Sequence, residues 1–134
     1  EYSGETFRLF FLATHYRSQI DFSEVSLHQA EKNVARIKNY LQVLDEKIEE
    51  EFKKGNVSDD IAYLADLNEN ELFEELLNFD YYKSSYDVLN DGVREFFNSM
   101  DDDFSTPKAI AANFSFIKQS NKDLNEDKII IDDL

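Results

Sequence analysis

SEVSLHQAEKNVARIKNYLQVLDEKIEEEFKKG, residues 23–55, is the stretch whose reading decides the fold. Leu27, Ala30, Val34, Ile37, Leu41, Leu44 and Ile48 recur at spacings of 3, 4, 3, 4, 3 and 4. That rhythm lays them along one side of an α-helix as a narrow apolar seam. Phe52 continues the stripe. Ser23 stands where a side-chain oxygen can accept a first-turn N–H, and Gly55 where a helix stops, with Lys53 and Lys54 at its negative end. At about 1.5 Å per residue the predicted helix is about 45 Å long.

Upstream, Phe7, Phe10, Phe11 and Leu12 predict a short helix from Ser3 to about Thr14, capped by Ser3 or Thr6 with Glu5 near its positive end. His15-Tyr16-Arg17-Ser18 then leads into Ile20-Asp21-Phe22, which has no helical period. Downstream, residues 56–70 read as a connector with one short helix from Ser58. Leu72, Leu76, Phe79, Tyr82, Tyr86, Leu89, Val93, Phe96 and Met100 resume the stripe, as one long helix or two broken near Asp80 to Ser85. Gly92 falls inside that pattern at a cost of ~1 kcal/mol against Ala. Thr106-Pro107 opens the last clear helix, with Thr as cap and Pro at the first helical position, and Ile110, Ala111, Phe114 and Ile117 facing inward. After Asn121 the charge density rises towards an isolated Ile129-Ile130-Ile131. The pieces predict an all-α fold, an antiparallel helix bundle with two long helices preceded by a short one.

The chain has 134 residues, enough for one domain with a real core. Phe and Tyr at 14% are too many for a disordered tail. Without cysteine it has no disulfide and no thiolate metal ligand, which suits a cytoplasmic protein. No apolar run approaches the roughly 20 residues of a membrane-spanning helix, so no membrane partner is expected. A net charge of −15 repels phosphate backbones at long range, so RNA would be touched only through a local basic stripe. Glu1-Tyr2-Ser3-Gly4-Glu5-Thr6 carries no initiator Met and no secretory pattern, and reads like a chain cut from something longer.

No self-contained catalytic constellation is visible: no Gly-rich phosphate loop, no nucleophile elbow, no His cluster. Asp101-Asp102-Asp103 offers oxygens to a divalent cation. It lacks the alternate spacing of a calcium loop and stands just before Thr106-Pro107, so a role in starting that helix or ordering its loop fits better. His15, Tyr16 and Arg17 could grip a phosphate and stack on a base; the plainer alternative is a joint with Tyr16 half-buried and Arg17 paired to a carboxylate. Lys32 and Arg36 share a helix face away from the seam, with Asn39 and Lys47 one or more turns on. They suit a phosphate backbone, or surface pairs with Glu31 or Glu24.

Two strings tilt these alternatives. Residues 7–18, FRLFFLATHYRS, with Ile20-Asp21-Phe22-Ser23, resemble the cysteinyl-tRNA synthetase segment L-R-F-F-L-L-S-x-H-Y-R-S-P-L-x-F-S. Residues 100–109, MDDDFSTPKA, resemble that family's M-D-D-D-F-N-T-P-x-A. Gln19 replaces the usual Pro and Ser105 the usual Asn. The resemblance implies the DALR-type helical region that follows the catalytic domain of a class I synthetase and leans on the tRNA stem. Residues 1–22 would end the joint, 23–121 form the bundle, and 122–134 form an acidic tail or the start of a further part. It also implies cysteine-specific tRNA and the protein's own catalytic domain as partners, with a monomer expected. ATP and zinc are expected in that other domain, because H-I-G-H, K-M-S-K-S and zinc ligands are not here. On this reading the fragment alone has no catalytic residue, and His15 to Arg17 gain weight as a tRNA or domain-joint element. Two rivals stay open: the same region of a mycothiol-pathway cysteine ligase, and a helical module binding a partner helix along the Leu27–Ile48 seam.

Overall fold

The structure, a computed structural model, describes residues 1–55, 68, 71 and 87–126. The short helix expected after Ser58, the first part of the stripe from Leu72, the break near Asp80 and the Ile129–Ile131 triplet lie outside those residues. The described residues form four helices and no strand: α1 (Gly4–Leu12), α2 (Glu24–Lys54), α3 (Asp87–Asp101) and α4 (Thr106–Asn125).

The starts of α1 and α2 follow from local chemistry. Ser3, rather than Thr6, caps α1, its Oγ accepting the Thr6 N–H at 3.2 Å. Thr6 is 1% exposed and its hydroxyl lies 3.0 Å from the same oxygen. At α2, Ser23 and Ser26 form a reciprocal box: Ser23 Oγ accepts the Ser26 N–H and Ser26 Oγ accepts the Ser23 N–H. The helix stops at Gly55, which takes the left-handed conformation (φ 72, ψ 23).

Two small cores hold the helices together. α1 runs antiparallel to α2, with Phe10, Leu27 and Ala30 buried between them and Tyr2 and Phe7 packed alongside. Farther along α2, Tyr40 joins Ile117 and Leu124 of α4, with Ile37, Val43, Leu44, Phe114 and Phe116 around them. Contacts advance together along both helices, from Arg36 over Phe114 to Tyr40 on Ser120, so α2 and α4 run parallel. α3 folds back on α4 as an antiparallel hairpin. Gly92 permits its close approach: a Cβ there would sit 3.3 Å from Phe116 Cβ.

The seam is not fully as its spacing predicts. Leu41 is 52% exposed and Tyr40 is 5% exposed in its place. A 3.5-residue repeat drifts round a 3.6-residue helix, and α2 changes partner from α1 to α4 along its length. The Tyr40 hydroxyl is satisfied at 2.7 Å by Ser120 Oγ, which has no exposed surface.

The start of α4 also needs correction. Ser105 is the N-cap, without a side-chain bond, and Thr106 is already helical, so Pro107 stands one position later than expected. Asp101 ends α3 instead of preparing α4. Asp103 and Phe104 cause the shift, because both are left-handed (φ 54 and 50) and use two residues to reverse the chain. Phe104 N–H to Met100 O at 3.0 Å and Ser105 N–H to Ser99 O at 3.0 Å close that turn.

Candidate functional site: a motif joint and a cationic groove

The turn at Asp103 brings the two motif strings together. Tyr16 donates its hydroxyl to Asp103 Oδ1 at 2.8 Å, and Arg17 reaches Oδ2 at 3.0 Å. His15 Nε2 lies 3.2 Å from the Asp103 carbonyl oxygen. Arg17 N–H points to His15 Nδ1 at 3.3 Å, so in the neutral ring the Nε2–H is free to donate to that carbonyl. The His15 and Tyr16 rings stack at 4.7 Å, and the Arg17 guanidinium lies 5.2 Å over the Tyr16 ring. The hydrogen bond to the Asp103 carboxylate raises the Tyr16 pKa above the ordinary tyrosine value. Asp102 turns away to Lys108 Nζ at 2.7 Å, which lowers its own pKa.

The joint therefore follows the plainer of the two sequence readings for Arg17, which is paired. Tyr16 departs from that reading, being 60% exposed instead of half-buried. Asp102 and Asp103 diverge, and no group of three His, Asp or Glu that would hold a metal ion occurs among the described residues. The chain's two histidines do not meet: His15 serves the joint, and His28 on α2 pairs with Glu31 at 3.1 Å. Without cysteine, the chain has no thiolate to offer zinc.

Lys32 and Arg36 lie elsewhere, on α2, and the surface pairs expected for them do not form. Glu31 is taken by His28, and Arg36 is drawn over the Phe114 ring at 4.9 Å. The two cations line a shallow groove with Ala35 and Asn39, faced from α4 by Ile117, Lys118 and Asn121. Sequence reading missed Lys118, Asn121, Tyr40 and Ser120. A signal existed for Tyr40, three residues past Ile37 and so on the same face. Nothing in the sequence aligns α4 with α2, so the α4 side of the groove was not legible. None of the described helices is long and apolar enough to cross a membrane.

Residues 95–133 match the DALR domain family. Over almost its whole length the chain is similar to proteins named cysteine–tRNA ligase. Identity is 34% to that of Geotalea uraniireducens over 96% of this chain and 23% of the relative. It is 32% to that of Thermodesulfovibrio yellowstonii over 90% and 20%, and 31% to that of Geobacter metallireducens over 96% and 22%. The chain thus spans about a fifth of the length of the curated relatives it matches. Both quoted strings lie within a chain that is similar nearly end to end to a stretch of these ligases, and with the DALR match this supports a likeness to the DALR-bearing region of the cysteinyl-tRNA synthetases.

Proposed function

We propose that the chain is the tRNA-side helical part of a cytoplasmic, ATP-dependent cysteine–tRNA ligase. In this reading it holds cysteine tRNA through α2, and residues 1–22 join it to the ligase's own catalytic domain. Chemistry, ATP and zinc belong to that other domain, and no catalytic role falls to any residue here. One observation supports the RNA contact. Arg17, Lys38, Lys47, Lys53, Lys54, Arg94 and Lys108 each meet a carboxylate. Lys32 and Arg36, like Arg8, Lys118 and Lys122, meet none among the described residues, although the chain carries 29 acidic residues, and these two stand one turn apart on α2. An acidic chain that leaves two neighbouring cations unneutralised keeps a local site for phosphate.

The His15-Tyr16-Arg17 cluster is the joint in this reading. With Arg17 neutralised by Asp103, it fixes the angle between the entering chain and the α3–α4 hairpin. The interaction-module alternative is disfavoured because α1 and α4 already cover much of the α2 seam. The test is retention of a cysteine tRNA transcript by the full-length protein at several salt concentrations. Lys32→Ala with Arg36→Ala should weaken binding and lower the salt slope by about two. Unchanged affinity and slope would refute the proposed contact.

A further inference from the structure

We infer that the groove between α2 and α4 is a two-walled site for the sugar-phosphate backbone of one RNA strand, with Lys118 as the cation of its second wall. This rests on the tRNA reading above and extends it to a helix that carries no expected tRNA-contact residue. Lys32 and Arg36 form one wall and Lys118 the other, and among the described residues no carboxylate lines the space between them. Lys118, like the two α2 cations, has no ion-pair partner among the described residues. In a chain of net charge −15 this makes a local positive channel.

The groove is also preorganised. Arg36 rests on the Phe114 ring, which restricts the guanidinium while leaving its N–H edge available for phosphate oxygens. Tyr40 and Ser120, buried and bonded at 2.7 Å, tie the two walls together one turn from Arg36 and two residues from Lys118. Ala35 is small enough to admit a backbone, and Asn39 and Asn121 add neutral donors for phosphate or ribose oxygens. Ile117 forms an apolar floor at 8% exposure. Among the described residues, amides and cations without a stacking ring at the mouth suit a backbone rather than a splayed base.

The experiment is iodine footprinting of phosphorothioate-substituted cysteine tRNA on the full-length protein, with affinities measured across salt. Lys118→Ala should expose phosphates that the wild type protects, weaken binding about five- to eightfold at 0.1 M salt and lower the salt slope by about one. Ala35→Glu, which sets a carboxylate in the groove, should do the same without removing a cation. If Lys32→Ala and Arg36→Ala weaken binding while Lys118→Ala and Ala35→Glu change neither affinity nor footprint, the second wall is wrong and the α2 contact stands. If none of the four has an effect, the tRNA reading of α2 falls as well. Displacement of polyglutamate, but not of tRNA, by these variants would make the groove a site for acidic protein and overturn the inference.

Discussion

Asp103 is where the two motif strings meet. Its carboxylate receives Tyr16 and Arg17, its carbonyl faces His15, and its backbone is left-handed. Asparagine and aspartate tolerate that conformation, whereas Phe104 beside it does not and carries a penalty of ~1–2 kcal/mol. The Phe104 side chain is 66% exposed and returns little by burial. Phe104→Gly removes that penalty against ~0.5–1 kcal/mol of chain entropy, so thermal unfolding should show a stability unchanged or raised by up to ~1 kcal/mol. A clear loss would mean that the ring packs more than its exposure indicates. Because the folded state raises the Tyr16 pKa, it holds that proton more tightly than the unfolded chain. The contribution is therefore full below the ordinary tyrosine range and is lost as the pH rises through the raised value. Asp103→Ala should return the Tyr16 titration, followed by ring-carbon NMR, towards the ordinary value. Arg17→Ala removes an exposed pair and, through a looser joint, should weaken tRNA binding up to about fivefold while leaving cysteinyl-adenylate formation alone; equal effects on both steps would contradict the joint. From the sequence, His15 to Arg17 and Asp101 to Asp103 were separate candidates. Their meeting depends on the left-handed pair at 103 and 104, and a phenylalanine in second place gives no sign of it.

At the scale of elements, the long helix was the most legible part of the chain. Its rhythm, its Ser23 start and its Gly55 stop are all local, so they can be read without knowing what packs on it. What the rhythm could not show is the change of partner along α2, which exposes Leu41 and buries Tyr40. Gly92 illustrates the same limit. Local propensity marks it as a weakness of ~1 kcal/mol, whereas the α3–α4 hairpin needs the space against Phe116. Gly92→Ala should thus gain less than the ~1 kcal/mol that propensity alone offers, because the new methyl meets a backbone-anchored Cβ. Gly92→Leu should lose about 2 kcal/mol by overpacking, measured by denaturant unfolding. A stabilised Leu variant would show that the hairpin does not close as described.

For the molecule as a whole, charge organises the reading. Among the described residues, seven cations are consumed by the surrounding carboxylates, and of those left over Lys32, Arg36 and Lys118 share one groove. An all-α chain of this composition could serve many roles. The two motif strings, their meeting at Asp103 and the similarity to cysteine–tRNA ligases support the proposed tRNA-side role. The measurement to make is tRNA charging by the full-length protein, with the tRNA KM and ATP–pyrophosphate exchange compared between wild type and the Lys32→Ala, Arg36→Ala double variant. The expected result is cysteine transferred to its tRNA, with the tRNA KM of the variant raised more than about tenfold and cysteine-dependent exchange unchanged. No cysteinyl-tRNA from the wild type, or an unaltered tRNA KM in the variant, would contradict a tRNA-side role for this helical region.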